Sequence, residues 1–312
     1  MQHSRPIIID TDPGQDDAVA ILLAMASPEL EVLGITCVAG NVPLHLTEVN
    51  ARKVVDLTGR RDVPVFAGCD APMDRVLVTA EHVHGRTGLD GPELPDPVTP
   101  LAQAHAVDWL IETLRQRSGV ALCPLGPLTN IATALQKAPE IASNIAEIVL
   151  MGGGYFEQGN ITPAAEFNIY VDPTAADIVL RSGIPVTIVP LDCTHQALTT
   201  PPRVEAFRKL GNTAGRVVAE LTDFFERFDK EKYGADGAPL HDPCVIAMLL
   251  APEIFESRLV NVTVDTREGL TLGATVADYW RVTDRPPNAR WVRALDADRF
   301  FDLLLDRIAW LP

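Results

Sequence analysis

Six short apolar runs, rich in β-branched residues, recur along the first two-thirds of the chain at residues 7–10, 32–38, 63–66, 120–123, 148–151 and 186–189. Amphipathic stretches lie between them, at 17–26, 44–57, 101–117, 128–136 and 173–181. Strands that alternate with helices of this length predict βαβ units around a parallel sheet. The runs are continuously apolar rather than alternating, as expected where helices cover both faces. The texture changes after about residue 200. A long helix is expected over 201–232 and a shorter one over 242–250. Strand-like segments follow at 259–264, 270–276 and 289–292, and an amphipathic helix closes the chain at 298–308. No linker, repeat or low-complexity stretch divides these parts, so the expectation is one α/β domain over 1–312 with a mainly parallel central sheet flanked by helices.

Composition narrows the partners. Apolar residues make up 47% of the 312, which suits a sizeable core, and no window reaches the 18 apolar residues of a membrane span. The apolar run near the N-terminus is too short for a signal peptide, so a cytoplasmic protein is expected. A formal net charge of −16 argues against nucleic acid, whose phosphates need Lys and Arg, and towards neutral or cationic small ligands or a bound metal. Five cysteines without a CxxC pair predict buried, inert thiols rather than disulfides or a zinc ribbon.

The polar motifs sit at strand ends. DTDPGQDD (10–17) follows the first run, AGN (39–41) the second, LGPLTN (125–130) the fourth and MGGG (151–154) the fifth. Open parallel sheets bind ligands outside the carboxyl ends of their strands. Four aspartates in eight residues exceed the needs of one helix cap. A hard divalent cation would relieve their repulsion, and the Pro13-Gly14 bend lets Asp12 and Asp17 converge while Asp16 and Asp17 open a helix. An EF-hand is excluded, because its bidentate glutamate would fall on Ile21. A phosphotransferase of the haloacid-dehalogenase type fits poorly, since Pro13-Gly14 follows the Asp-x-Asp. Asp242-Pro243 and Asp172-Pro173 both read as helix starts, with Asp as cap and Pro first. Asn160, Glu166 and Asn168 lie in a Gly-containing loop and could hydrogen-bond hydroxyls, and Asn41 fits an ordinary turn.

Together these motifs, with HGRTGL (84–89), AEFNIYVDP (165–173) and HDPC (241–244), resemble the inosine-uridine nucleoside hydrolase family over essentially the whole chain. The resemblance implies a Rossmann-like nucleoside hydrolase fold and Ca²⁺-dependent cleavage of the N-glycosidic bond of ribonucleosides, as in nucleoside salvage. It implies Asp12, Asp17, Asp242 and the Leu125 carbonyl as calcium ligands, with Asp12 also the base that deprotonates the calcium-bound water. Asp16 and Asn168 would hold ribose hydroxyls, Asn160 and Glu166 the 5′-hydroxyl end, and Asn41 would lie near metal and sugar. His241 would face the leaving base as an acid, His84 would approach the base, and Asp10 would support the site from behind.

An all-oxygen ligand set with waters and two ribose hydroxyls reaches roughly 8 oxygens, which suits Ca²⁺ better than Mg²⁺. A ring of carboxylates would stabilise a ribosyl cation and repel phosphate, which predicts nucleosides rather than nucleotides as substrates. The base preference is open between a broad inosine-uridine enzyme and a pyrimidine-specific one. Of Phe224, Phe225, Phe228 and Tyr233, some could stack on the base and others pack a core. A metal-dependent phosphohydrolase and a non-catalytic nucleoside-binding protein are the readings from other classes. By resemblance, a homodimer or homotetramer is expected.

Overall fold

The computed structural model describes residues 4–233 and 237–312, the side chains of 228–233 excepted. Its strands are β1 (Arg5–Thr11), β2 (Leu30–Cys37), β3 (Val65–Ala67), β4 (Leu101–Ala102), β5 (Val120–Pro124), β6 (Ile145–Met151), β7 (Val186–Val189), β8 (Phe255–Val260), β9 (Val262–Val264), β10 (Thr275–Ala277) and β11 (Ala289–Leu295). Nine of them form one sheet in the order β4-β3-β2-β1-β5-β6-β7-β11-β8. Every pairing in that sheet is parallel except β11 with β8. β9 and β10 make a separate antiparallel pair. The expected α/β class with a mainly parallel, helix-flanked sheet is what the chain adopts.

The apolar runs are central because their residues face two cores. Ile7 and Ile9 join one apolar cluster and Ile8 the other, on the opposite face of the sheet. The chain runs outward from β1 in both directions, to β2 on one side and to β5 on the other. That is a topological switch point, where a crevice opens at the carboxyl ends of the strands. Register brings the motif loops to one level there, since Asp10 pairs with Thr36 of β2 and with Pro124 of β5.

Several elements differ from the expectation. The stretch 101–117 divides into the two-residue β4 and a helix, Ala106–Gln116, capped by the His105 side chain. The long helix expected over 201–232 is two, Pro201–Lys209 and Thr213–Tyr233. Gly211, at φ 76, turns the chain between them, a conformation other residues adopt only with strain. Of the segment 270–276 only Thr275 and Val276 are strand, within Thr275–Ala277, and Gly273, at φ 80, bends the chain before it. All five cysteines are free, and four are buried. Burial pushes the Cys123 and Cys193 thiols up to about 12, so they stay protonated and inert. Among the described residues no helix is long and apolar enough to cross a membrane.

Candidate active site

β1 delivers Asp12 at the switch point, and the helix Gln15–Met25 starts three residues later. That helix is buried along its entire length, acidic first turn included. Asp17 is its third residue, and its carboxylate reaches back to accept from the Gly14 N–H at 2.9 Å, half of a capping box. The Thr11 hydroxyl donates to its other oxygen. Asn41, from the AGN turn, donates its backbone N–H to Asp12 Oδ2 at 2.7 Å and its side-chain N–H to Asp17 Oδ2 at 3.3 Å. Asp12 is also boxed by glycines. A Cβ on Gly40 would lie 2.0 Å from Asp12 Oδ2, and one on Gly126 would lie 2.1 Å from Oδ1. Neither glycine has a positive φ, so the close approach of the carboxylate is what requires them.

Asp242 arrives from the far end of the chain. It occupies the cap position of the helix Pro243–Leu250, yet its side chain makes no capping bond. It meets the carboxylates of Asp16 and Asp17 instead. One oxygen each of Asp16, Asp17 and Asp242 lie within 4.8 Å of one another, all three residues buried. Burial first, then the Asp17 charge, pushes Asp16 up to about 7. Burial and the charges of Asp16 and Asp17 hold Asp242 well above the carboxylate range. Burial and the Asp17 charge do the same to Asp12. Three buried carboxylates with no cationic side chain among them in the described residues offer oxygen donors only, and they fit a hard divalent ion. The tight group contains Asp16 rather than Asp12, which lies alongside between its glycines.

A second polar loop follows β6. Glu166 caps the helix Phe167–Val171, accepting from the N–H groups of Asn168, Ile169 and Gly153. Burial pushes its carboxyl up to about 7 against those N–H bonds. Asn160 Oδ1 accepts from the Phe167 N–H at 2.9 Å. Asn168 donates its amide to the Leu125 carbonyl at 2.6 Å and to the Met151 carbonyl at 3.3 Å. Asp10 stands behind Asp12. Its Oδ1 accepts from the Thr36 hydroxyl and the Asn130 amide, while its Oδ2 has no partner.

Asp16, Asn41, Leu125, Asn160, Glu166, Asn168 and Asp242 line one cleft, with about 750 Å³ of open space including its mouth, while Asp10, Asp12 and Asp17 are not among its lining residues. His82, His84, His195, Phe225 and His241 line the same cleft. Phe225 stacks on His84 with ring centroids 5.5 Å apart. Phe224 is instead covered by the Arg227 guanidinium, and the side chains of Phe228 and Tyr233 lie outside the described residues. Burial, reinforced by His195 and His84, holds His241 well below the imidazole range, and its Nδ1 lies 2.7 Å from the Thr194 hydroxyl. The sequence reading passed over His195, whose Nδ1 lies 3.6 Å from the Glu157 carboxylate. The only signal was its place soon after the strand run at 186–189.

A buried acidic cluster at a switch point, beside a cleft lined by histidines and aromatic rings, is a candidate binding site for a small polar ligand. Comparison with known proteins makes this specific. The profile described as inosine-uridine preferring nucleoside hydrolase matches residues 7–302. An uncharacterized protein of Schizosaccharomyces pombe is 50% identical over 98% of this chain and 99% of its own. The pyrimidine-specific ribonucleoside hydrolase RihA of Photobacterium profundum is 49% identical, with the same coverage of each chain. Among solved structures, a purine-preferring ribonucleoside hydrolase from Gardnerella vaginalis superposes with a TM-score of 0.91 at 36% identity, covering 97% of this chain and 98% of that one. The chain belongs to the inosine-uridine preferring nucleoside hydrolase family, whose members are ribonucleoside hydrolases.

Proposed function

We propose that this chain cleaves the N-glycosidic bond of ribonucleosides to ribose and free base, with Ca²⁺ as its metal. The buried group of Asp16, Asp17 and Asp242 carries this reading, since a divalent cation would relieve its mutual repulsion. Asp12, Asp17, Asp242 and the Leu125 carbonyl would hold the ion, with Asp16 close by. Bound there, Ca²⁺ supplies a Lewis acid that lowers the pKa of water and a template for the ribose diol.

The chain's own groups do the rest. Asp12 acts as general base on the attacking water, and its fixed hydrogen bond from Asn41 keeps it in one orientation. Asp16 accepts from a ribose hydroxyl. Asn168 spends its N–H groups on carbonyls and meets another hydroxyl with Oδ1. Asn160 and Glu166 serve the 5′ end, while Asn41 orients the carboxylates and Asp10 backs Asp12. As the bond to the base lengthens, positive charge grows on the sugar, and the buried carboxylates stabilise it. The same negative field disfavours a phosphate, so nucleosides rather than nucleotides are the substrates. His241 hydrogen-bonds the leaving base and His84 contacts it.

A broad preference covering inosine and uridine follows the family's description. The 49% identity to RihA favours a pyrimidine-specific enzyme instead. Reducing-sugar release from inosine, uridine and cytidine, with and without a calcium chelator, tests both readings. Release abolished by the chelator and restored by Ca²⁺ is expected. Phosphate release from nucleotides without free base, or nucleoside binding without turnover, would replace the reading.

A further inference from the structure

Gln15 is the one residue of the acidic motif's helix start that carries an amide, and it is fully buried. Its Nε2 donates to two backbone carbonyls, His84 O at 2.9 Å and Asp90 O at 3.1 Å. Its Oε1 lies 2.7 Å from His84 Nδ1. The two ends of an amide are often exchangeable in assignment. Here two carbonyls can be satisfied only by the NH₂ end, so the oxygen must be the atom at the ring. A carbonyl oxygen only accepts, and His84 Nδ1 must therefore carry a hydrogen. Burial lowers His84 to about 3, so the ring is neutral near pH 7 and Nε2 is bare.

The ring cannot easily turn away from this partner. A Cβ on Gly14 would lie 2.4 Å from its Nδ1 and 2.7 Å from Cε1, so the imidazole sits against the backbone. Phe225 stacks on it. Asn50 ties the same loop down, donating to the carbonyls of Pro13 and Thr87. His241 differs, because its Nδ1 faces a hydroxyl, which can donate or accept. Its tautomer is free to change.

We propose that Gln15 is a positioning residue that holds His84 as the Nδ1–H tautomer, so that Nε2 meets the nucleobase as a hydrogen-bond acceptor and never as a proton donor. The ligand group it takes is an N–H of the base, such as the imide of uracil or the lactam of hypoxanthine. The hydrogen on Nδ1 stands on geometry and the neutrality of the ring on its burial, whereas the identity of the ligand rests on the function proposed above.

The test is nitrogen NMR of the full chain labelled with ¹⁵N-histidine, with His84 assigned by the signal lost in His84→Gln. The expected spectrum shows hydrogen on Nδ1, none on Nε2, and no protonation down to about pH 5. In Gln15→Met the preference for Nδ1–H is lost. KM for a good nucleoside then rises about tenfold while kcat stays within about twofold, the signature of a contact made equally in ground and transition states. Hydrogen on Nε2 in the wild type, or a mixture of tautomers, overturns the proposal even if Gln15→Met does not fold. A fall in kcat at unchanged KM overturns the acceptor role. A wild-type Nδ1–H signal in a protein that hydrolyses no nucleoside sinks the function proposed above and upholds the Gln15–His84 assignment.

Discussion

Asp172-Pro173 and Asp242-Pro243 are the same dipeptide at the same place, the start of a helix, and they do different things. Asp172 caps its helix, accepting from the Ala175 N–H at 3.0 Å. Its other oxygen takes the Met73 N–H and the Thr129 hydroxyl, so both oxygens are engaged by donors within the fold. Asp242 leaves its helix uncapped and joins two other buried carboxylates. Both are almost completely buried, so exposure does not separate them. The neighbours do: one carboxylate is surrounded by donors and the other by acceptors. A buried acid among donors holds a fold together, and a buried acid among acids waits for something positive.

The widest gap should appear in activity. Asp242→Ala is expected to lower kcat/KM for nucleosides by about 10³-fold, the several kcal/mol of transition-state stabilisation that a metal site supplies. Asp172→Ala should stay within a few-fold. Comparable losses from both, in folded proteins, would break the distinction. Asp12→Ala should lower kcat by about 10²–10⁴-fold, the range of a lost general base, and steady-state kinetics on uridine would measure it.

The metal sharpens the comparison through stability. Saturating the site at a hundred times its Kd adds about 2.7 kcal/mol to the folded state. Thermal melts with Ca²⁺ and with chelator should therefore differ for the wild type and for Asp172→Ala, and coincide for Asp242→Ala. A calcium-dependent melt in Asp242→Ala would remove Asp242 from the ligand set. A smaller effect concerns its neighbour. His241→Ala is expected to slow inosine hydrolysis by about 10²-fold and uridine hydrolysis less, because a purine leaves more readily when hydrogen-bonded or protonated. Equal and mild losses would rule out that role.

The two aspartates also show where the sequence was readable. The parallel sheet was legible because its strands are continuous apolar runs bounded by turn residues. Asp12, Asp16 and Asp17 were legible because they crowd one short motif beyond any capping need. Asp242 was not legible alone, since a dipeptide says nothing about what lies across the cleft. Its assignment came from the resemblance, and the missing cap bond is the structural counterpart. The histidine side was harder, as it gathers His84, His195, Phe225 and His241 from four distant segments. Phe225 shares its helix with three other rings at core-like spacing, and only the fold shows that this one stacks on His84. Nothing in the sequence sets Gly40 and Gly126 apart from other turn glycines. Their reason, the Asp12 carboxylate about 2 Å from where a side chain would begin, exists only in three dimensions.

The finest test is the stability of the Asp172 variants. Removing an N-cap typically costs about 1 kcal/mol. Asp172→Ala also strands the half-buried Met73 N–H and the buried Thr129 hydroxyl, and leaving a buried donor unpaired adds about 1–3 kcal/mol. Asp172→Asn keeps one acceptor oxygen for the cap but sets an NH₂ against those two donors, so it should recover part of the loss and no more. For Asp242 the order reverses. In chelator Asp242→Asn should melt at or above the wild-type temperature, because it replaces one of three mutually repelling acids with a neutral group. Calorimetry of the four proteins in chelator would read this order directly. Destabilisation by Asp242→Asn in the absence of metal would mean that its carboxylate, too, serves the fold.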